Sequence, residues 1–142
     1  MTFLHVGFVG NKSFEVDADS IATGRTCVIG ASGSGKFYTV RVICEEPCKN
    51  HIPFAMIDAE GEYSGLKEKY EVIWIGEGEE CDLKWSVLDL DELARQALYS
   101  PPLILDLSEV SNPKEKVGKL LTGIYANIFE TPCSPFYCPR RG

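Results

Sequence analysis

Apolar and polar positions change their period several times along the chain, and each change marks an element. Phe3 to Phe8 alternates and predicts a short strand. Gly10-Asn11-Lys12 is a turn, and Ser13 to Val16 returns as the second strand of a hairpin. Thr26-Cys27-Val28-Ile29 is a short apolar run that ends in glycine and reads as a buried strand. From Lys36 to about Glu46 the period becomes helical, with Val40, Ile43 and Cys44 on one face. Pro47 is expected to stop that helix, because proline lacks the amide that continues it. Pro53 to Ile57 reads as a second buried strand and Glu71 to Ile75 as a third, followed by an acidic loop from Gly76 to Asp82. Asp89 with Glu92 three residues later resembles a capping box, and Leu90, Leu93, Ala94 and Ala97 supply the helical face behind it. Leu103-Ile104-Leu105-Asp106 is a fourth strand, apolar and ending in an acid. Asn112-Pro113-x-Glu115 then opens a helix with an N-cap, a proline at its first position and an acid in its first turn. Val117, Leu120, Leu121, Ile124, Ile128 and Phe129 line its face until Pro132.

Strands alternating with helices, the inner strands continuously apolar, are the pattern of a mostly parallel sheet covered on both faces. The expected class is α/β with a short N-terminal β-hairpin. There are no internal repeats and no low-complexity linkers. The chain has 142 residues, 44% of them hydrophobic, so one domain with a real core is expected and wholesale disorder is excluded. No run approaches the ~18 apolar residues of a membrane span. Met1 to His5 lacks the basic and apolar segments of a secretory signal. A cytoplasmic location is the expectation, with no membrane partner.

The net charge is −7, with residues 1–112 at −10 and residues 113–142 at +3. An acidic chain does not draw in a phosphate backbone through its overall field, so DNA binding by this chain alone is not expected. Lys114, Lys116 and Lys119 read as a solvated helix face. The six cysteines contain no Cys-x-x-Cys pair and lie away from His5 and His51, so no zinc site is expected. Cys27, within an apolar run, is expected to pack as a small hydrophobe.

One motif carries chemistry. Gly30-Ala31-Ser32-Gly33-Ser34-Gly35-Lys36-Phe37 fits the Walker A pattern up to its last position, between a predicted strand and a predicted helix. The glycines let backbone amides approach phosphates. The helix directs its positive end at the anion, and Lys36 neutralises phosphate charge. Gly30 to Phe37 are therefore the candidate nucleotide-binding residues, and ATP is the expected ligand. Phe37 stands where the motif carries the Ser or Thr that holds Mg²⁺. A phenyl ring cannot ligate a metal, and Thr39, two residues on, points elsewhere. The expectation is weak nucleotide binding with little Mg²⁺ dependence, and no protein metal ligand is assigned.

Three segments carry a resemblance. Gly33-Ser34-Gly35-Lys36-Phe37-Tyr38-Thr39-Val40, with Ile43-Cys44-Glu45-Glu46, looks like the Walker A segment of the HerA family. Phe54 to Leu66, with Asp58-Ala59-Glu60-Gly61-Glu62-Tyr63, resembles that family's D-x-x-G-E-Y segment. Leu103 to Ser108 is similar to its D-L-S strand. Together they span about residues 20–130, with 1–16 a hairpin remnant and 131–142 an irregular tail. The resemblance implies a partial RecA-like P-loop NTPase fold. It also implies kinship with FtsK/HerA motors, ATPases that pump double-stranded DNA as hexamers, often beside the nuclease NurA. A homo-oligomer, or an association with HerA-like or NurA-like partners, follows from the resemblance alone.

By the same resemblance, Asp58 and Glu62 are the candidate catalytic acids, placed at the carboxyl end of a strand beside the nucleotide crevice. The plain alternative for Glu60-Gly61-Glu62 is a solvated turn. Asp106 ends an apolar strand, yet the family pattern makes it the D-L-S strand. The family's Walker B strand would follow the last helix, where this chain reads Cys133-Ser134-Pro135-Phe136-Tyr137-Cys138-Pro139-Arg140-Arg141-Gly142. A domain truncated before Walker B, weak or inactive in hydrolysis, is therefore expected. Two other readings compete: a small P-loop nucleotide-binding enzyme using Asp58 or Asp106, and a non-enzymatic regulatory subunit docking on an intact motor.

Overall fold

The computed structural model describes residues 2–130. An antiparallel hairpin comes first, β1 (Phe3–Val9) and β2 (Lys12–Asp17), turning at Gly10-Asn11. Its pairing register slips between His5 and Gly7. Leu4 is its buried anchor. A short helix that the sequence pattern did not predict, α1 (Ala18–Thr23), starts where the Asp17 carboxylate caps the Asp19 amide.

The core is a four-stranded sheet in the order β3 (Ala55–Asp58), β6 (Leu103–Asp106), β4 (Ile73–Gly76), β5 (Leu83–Lys84), and every pairing in it is parallel. Three of these strands match the apolar runs. The two-residue β5 lies beyond the acidic loop and is too short to show a period. β6 is central and all four of its residues are buried. Its alternate side chains feed two cores. Leu103 and Leu105 pack with Ile75 and Trp85 under α3 (Leu90–Gln96) and α4 (Pro113–Glu130), through Leu93, Ala94, Val117 and Leu120. Ile104 packs with Met56, Leu66 and Val72 under α2 (Lys36–Lys49), through Val40, Cys44 and Cys48. The expected class, α/β with a parallel sheet flanked by helices and an N-terminal hairpin, is the class observed.

Four sequence-based expectations change. Pro47 lies inside α2, which continues through Lys49. Proline removes one amide bond at the last turn, and the buried Cys48 holds that turn on the sheet. The helical face of α4 is narrower than its apolar residues suggest: Val117 and Leu120 are buried and Ile124 packs on the core, while Leu121, Ile128 and Phe129 are exposed. β3 is covered on one face only, with Met56 buried and Ile57 49% exposed.

The largest change is Thr26-Cys27-Val28-Ile29, which forms no strand. Cys27 is exposed, and so is Ile29, at 87%. A parallel strand forms only where its backbone completes a ladder with a neighbour, and among the described residues none pairs with this segment.

Outside the cores, Asp82 ties the acidic loop down. One oxygen accepts the Trp74 amide at 2.9 Å and the other accepts Lys67 Nζ. Burial alone would raise this carboxyl, but the Lys67 and Trp74 hydrogen bonds and the Lys67 charge outweigh it and hold it below the ordinary value of 3.8. A lowered folded value stabilises above the unfolded value, and that stability disappears as pH falls through the folded value. Acid titration of unfolding should therefore cost the wild type more than Asp82→Asn between neutral pH and the low-carboxylate range. Equal slopes would show that the pairing adds nothing.

Candidate functional site

α2 starts abruptly at Lys36. The preceding Gly35 is left-handed (φ 90°), as is Gly33 (φ 77°), a conformation that L side chains rarely adopt. Gly35 offers no side-chain cap, so amides of the first helical turn stay available, at the positive end of the helix. The loop closes on itself where the Ser34 amide donates to the Ala31 carbonyl at 3.1 Å. Lys36 Nζ donates to the carbonyls of Gly30 and Ala31, both at 2.8 Å. The ammonium is thus held within the loop, with Ser32, Gly33 and Ser34 exposed around it. Glycine backbone, helix start and lysine together fit an anionic phosphate group.

The same residues do not fit a protein-bound metal at position 37. Phe37 is 46% exposed and meets the Tyr63 ring edge-on, with centroids 6.0 Å apart and an interplanar angle of 61°. The Thr39 hydroxyl is occupied within the helix, donating to the Gly35 carbonyl at 3.2 Å.

Tyr63 belongs to the turn that follows β3, and Asp58 organises this turn. Asp58 is 2% exposed. Its Oδ1 accepts the amides of Gly61 and Glu62 at 2.9 and 3.1 Å, and its Oδ2 accepts the amide of Tyr63 at 2.9 Å. Gly61 has φ 75°, and a Cβ there would stand 3.1 Å from Ser108 Oγ and 3.3 Å from Asp106 Oδ1. The turn therefore rests on the end of β6. Asp106 holds that end: Oδ1 accepts the Ser108 amide and hydroxyl at 3.0 and 2.6 Å, and Oδ2 accepts Trp74 Nε1–H at 3.2 Å. Trp85 Nε1–H donates to the Asp106 carbonyl at 3.0 Å. The D-x-x-G-E-Y and D-L-S segments are thus two halves of one contact.

Glu62 points outward from this turn. Its carboxylate makes no hydrogen bond or ion pair with a described residue. With Phe37, Tyr38, Arg41 and Tyr63 it lines a cavity of about 190 Å³ beside the start of α2. Arg41 braces the cavity, donating to the Gly65 carbonyl at 3.4 Å and pairing with Glu45 at 3.5 Å. Burial first, and then the Asp58 carboxylate, push the Tyr63 phenol up.

The structure thus brings Phe37, at the end of the Gly30 to Phe37 segment, to the cavity that Glu62 lines, and keeps Asp58 beneath the turn. Reading by motif overlooked Trp74, Trp85 and Arg41. A tryptophan in a covered strand is itself a signal, because its indole N–H needs an acceptor.

The family model described as Helicase HerA, central domain, matches residues 4–111. The chain belongs to this family. The HerA match begins within the hairpin and ends just past the D-L-S strand, so it takes in the loop, the Asp58 turn and the six strands among the described residues. Searches of curated proteins and of solved structures each found no match. Among the described residues no helix is long and apolar enough to cross a membrane. The tail residues 131–142, on which the expected loss of the Walker B strand turns, lie outside the described residues.

Proposed function

We propose that this HerA-family domain binds ATP through Gly30, Ala31, Ser32, Gly33, Ser34, Gly35 and Lys36, with Phe37 leaving magnesium little part in the affinity. The observation that carries the reading is the left-handed Gly33 and Gly35 leading into an uncapped helix, with Lys36 Nζ held against the loop carbonyls. A triphosphate would take over the lysine from those two carbonyls and receive the free amides of α2. Bound ATP supplies the scissile phosphoanhydride. Among the residues lining the cavity beside Phe37, Glu62 is the carboxylate free to meet a phosphate or a water, and Asp58 acts through the turn. With no hydroxyl at position 37, hydrolysis is weak or absent.

Calorimetric titration with ATP tests this. Comparable affinity is expected with and without Mg²⁺, and Lys36→Ala should weaken binding by about tenfold or more. Equal binding by wild type and Lys36→Ala would end the reading. Phe37→Ser should restore a metal-dependent gain. A large Mg²⁺ enhancement in the wild type would contradict the role given to Phe37.

A second reading, a regulatory subunit that docks on an intact motor, draws on the outer edge of β3 beside Ile57, which no described strand pairs, with Tyr125 and Phe129 exposed on α4. Size-exclusion chromatography separates it from a self-assembled ring, since a monomer that shifts only with an intact motor favours docking.

A further inference from the structure

We propose that Asp58 and Asp106 are positioning residues, and that the turn they fix serves to present the Glu62 carboxylate to the bound triphosphate, where it opposes binding. The proposal rests on reading Gly30 to Lys36 as the nucleotide site. Asp58 has both oxygens filled by three backbone amides and is buried, so it reaches no ligand. Gly61 sets the turn on Asp106 and Ser108, and Asp106 holds Trp74, so the mount spans β3, β6 and β4. From this mount two side chains face α2: Tyr63, its ring against Phe37, and Glu62, free in the same cavity. Phe37 offers no ligand to a cation that would stand between acid and phosphate. Like charges then meet beside that cavity, and they repel.

Three measurements test this on the full chain. First, amide hydrogen exchange, which needs no nucleotide. The amides of Gly61, Glu62 and Tyr63 should be protected in the wild type and in Glu62→Gln, and exposed in Asp58→Ala. Rapid exchange in the wild type would overturn the mount. Second, metal-free ATP titration. Glu62→Gln should bind about three- to tenfold more tightly than wild type. Third, the salt dependence of that affinity. The gain of Glu62→Gln over wild type should shrink as ionic strength rises, because salt screens the repulsion. If Glu62→Gln matches wild type in affinity and salt dependence while Lys36→Ala still weakens binding, the presenting role is wrong and the nucleotide reading stands. If Lys36→Ala binds as well as wild type, the nucleotide reading and the presenting role fall together, and exchange alone still decides the mount.

Discussion

Asp58→Ala should lower the stability of the domain by about 3 kcal/mol or more, at the upper end for a single polar residue. The side chain is buried and accepts three backbone amides from consecutive residues. Alanine leaves all three donors without an acceptor in a place that water reaches poorly. Each unsatisfied buried donor costs about 1–3 kcal/mol, less than additively because the turn relaxes. Asp58→Asn keeps one acceptor oxygen and should lose about half as much. Urea unfolding checks both: the midpoint should fall with an unchanged slope. A loss below about 1 kcal/mol for the alanine variant would mean that the turn does not depend on this carboxylate.

Ile104→Ala is the second large effect, at about 3–4 kcal/mol. Ile104 is fully buried at the centre of β6, flanked in register by Met56 on β3 and Trp74 on β4. Above it lies α2, through Val40, Cys44 and Cys48. Truncation removes the transfer energy of three carbons and leaves a cavity that two strands and a helix cannot close without distortion. Leu105→Ala, one residue on, should cost a similar amount from the opposite core under α3 and α4. The two differ in their reach. Loosening α2 disturbs the helix whose first residue is Lys36, so Ile104→Ala should weaken ATP binding by more than Leu105→Ala at matched stability. Equal losses of affinity would mean that the phosphate loop is indifferent to the packing beneath α2.

The local pattern was legible where one element decides its own form. The hairpin needs only alternation and a turn at Gly10-Asn11. The Asp89 cap forms as its sequence predicts, accepting the amides of Asp91 and Glu92, although Glu92 turns to Arg95 and Gln96 instead of completing the box. Proline at the start of α4 and the buried Leu103 to Asp106 strand follow the same logic. Length marked the limit of that legibility: β5 has two residues and α1 six, too few for a period to emerge.

At the candidate site the division is sharper. Gly30 to Lys36 stand out in the sequence as a candidate because a phosphate loop needs glycine, a helix start and lysine within one short stretch. Sequence spacing also exposed the problem with Phe37. The division of labour between Asp58 and Glu62 was not readable, because both are acids in one motif. Only the path of the turn makes one a buried acceptor for three amides and leaves the other free beside Phe37. Asp106, Ser108, Trp74 and Gly61 meet from three separate stretches of chain, a contact that no local pattern encodes.

The sequence by itself determined the α/β class, the elements long enough to show a period and the motif of the candidate phosphate loop, because periodicity and motif spacing are local properties. The tertiary structure alone decided that Thr26 to Ile29 stays outside the sheet, since a strand exists only where a neighbour completes its hydrogen bonds. It also decided which carboxylate is free to act, because burial and hydrogen-bond donors are supplied by distant residues.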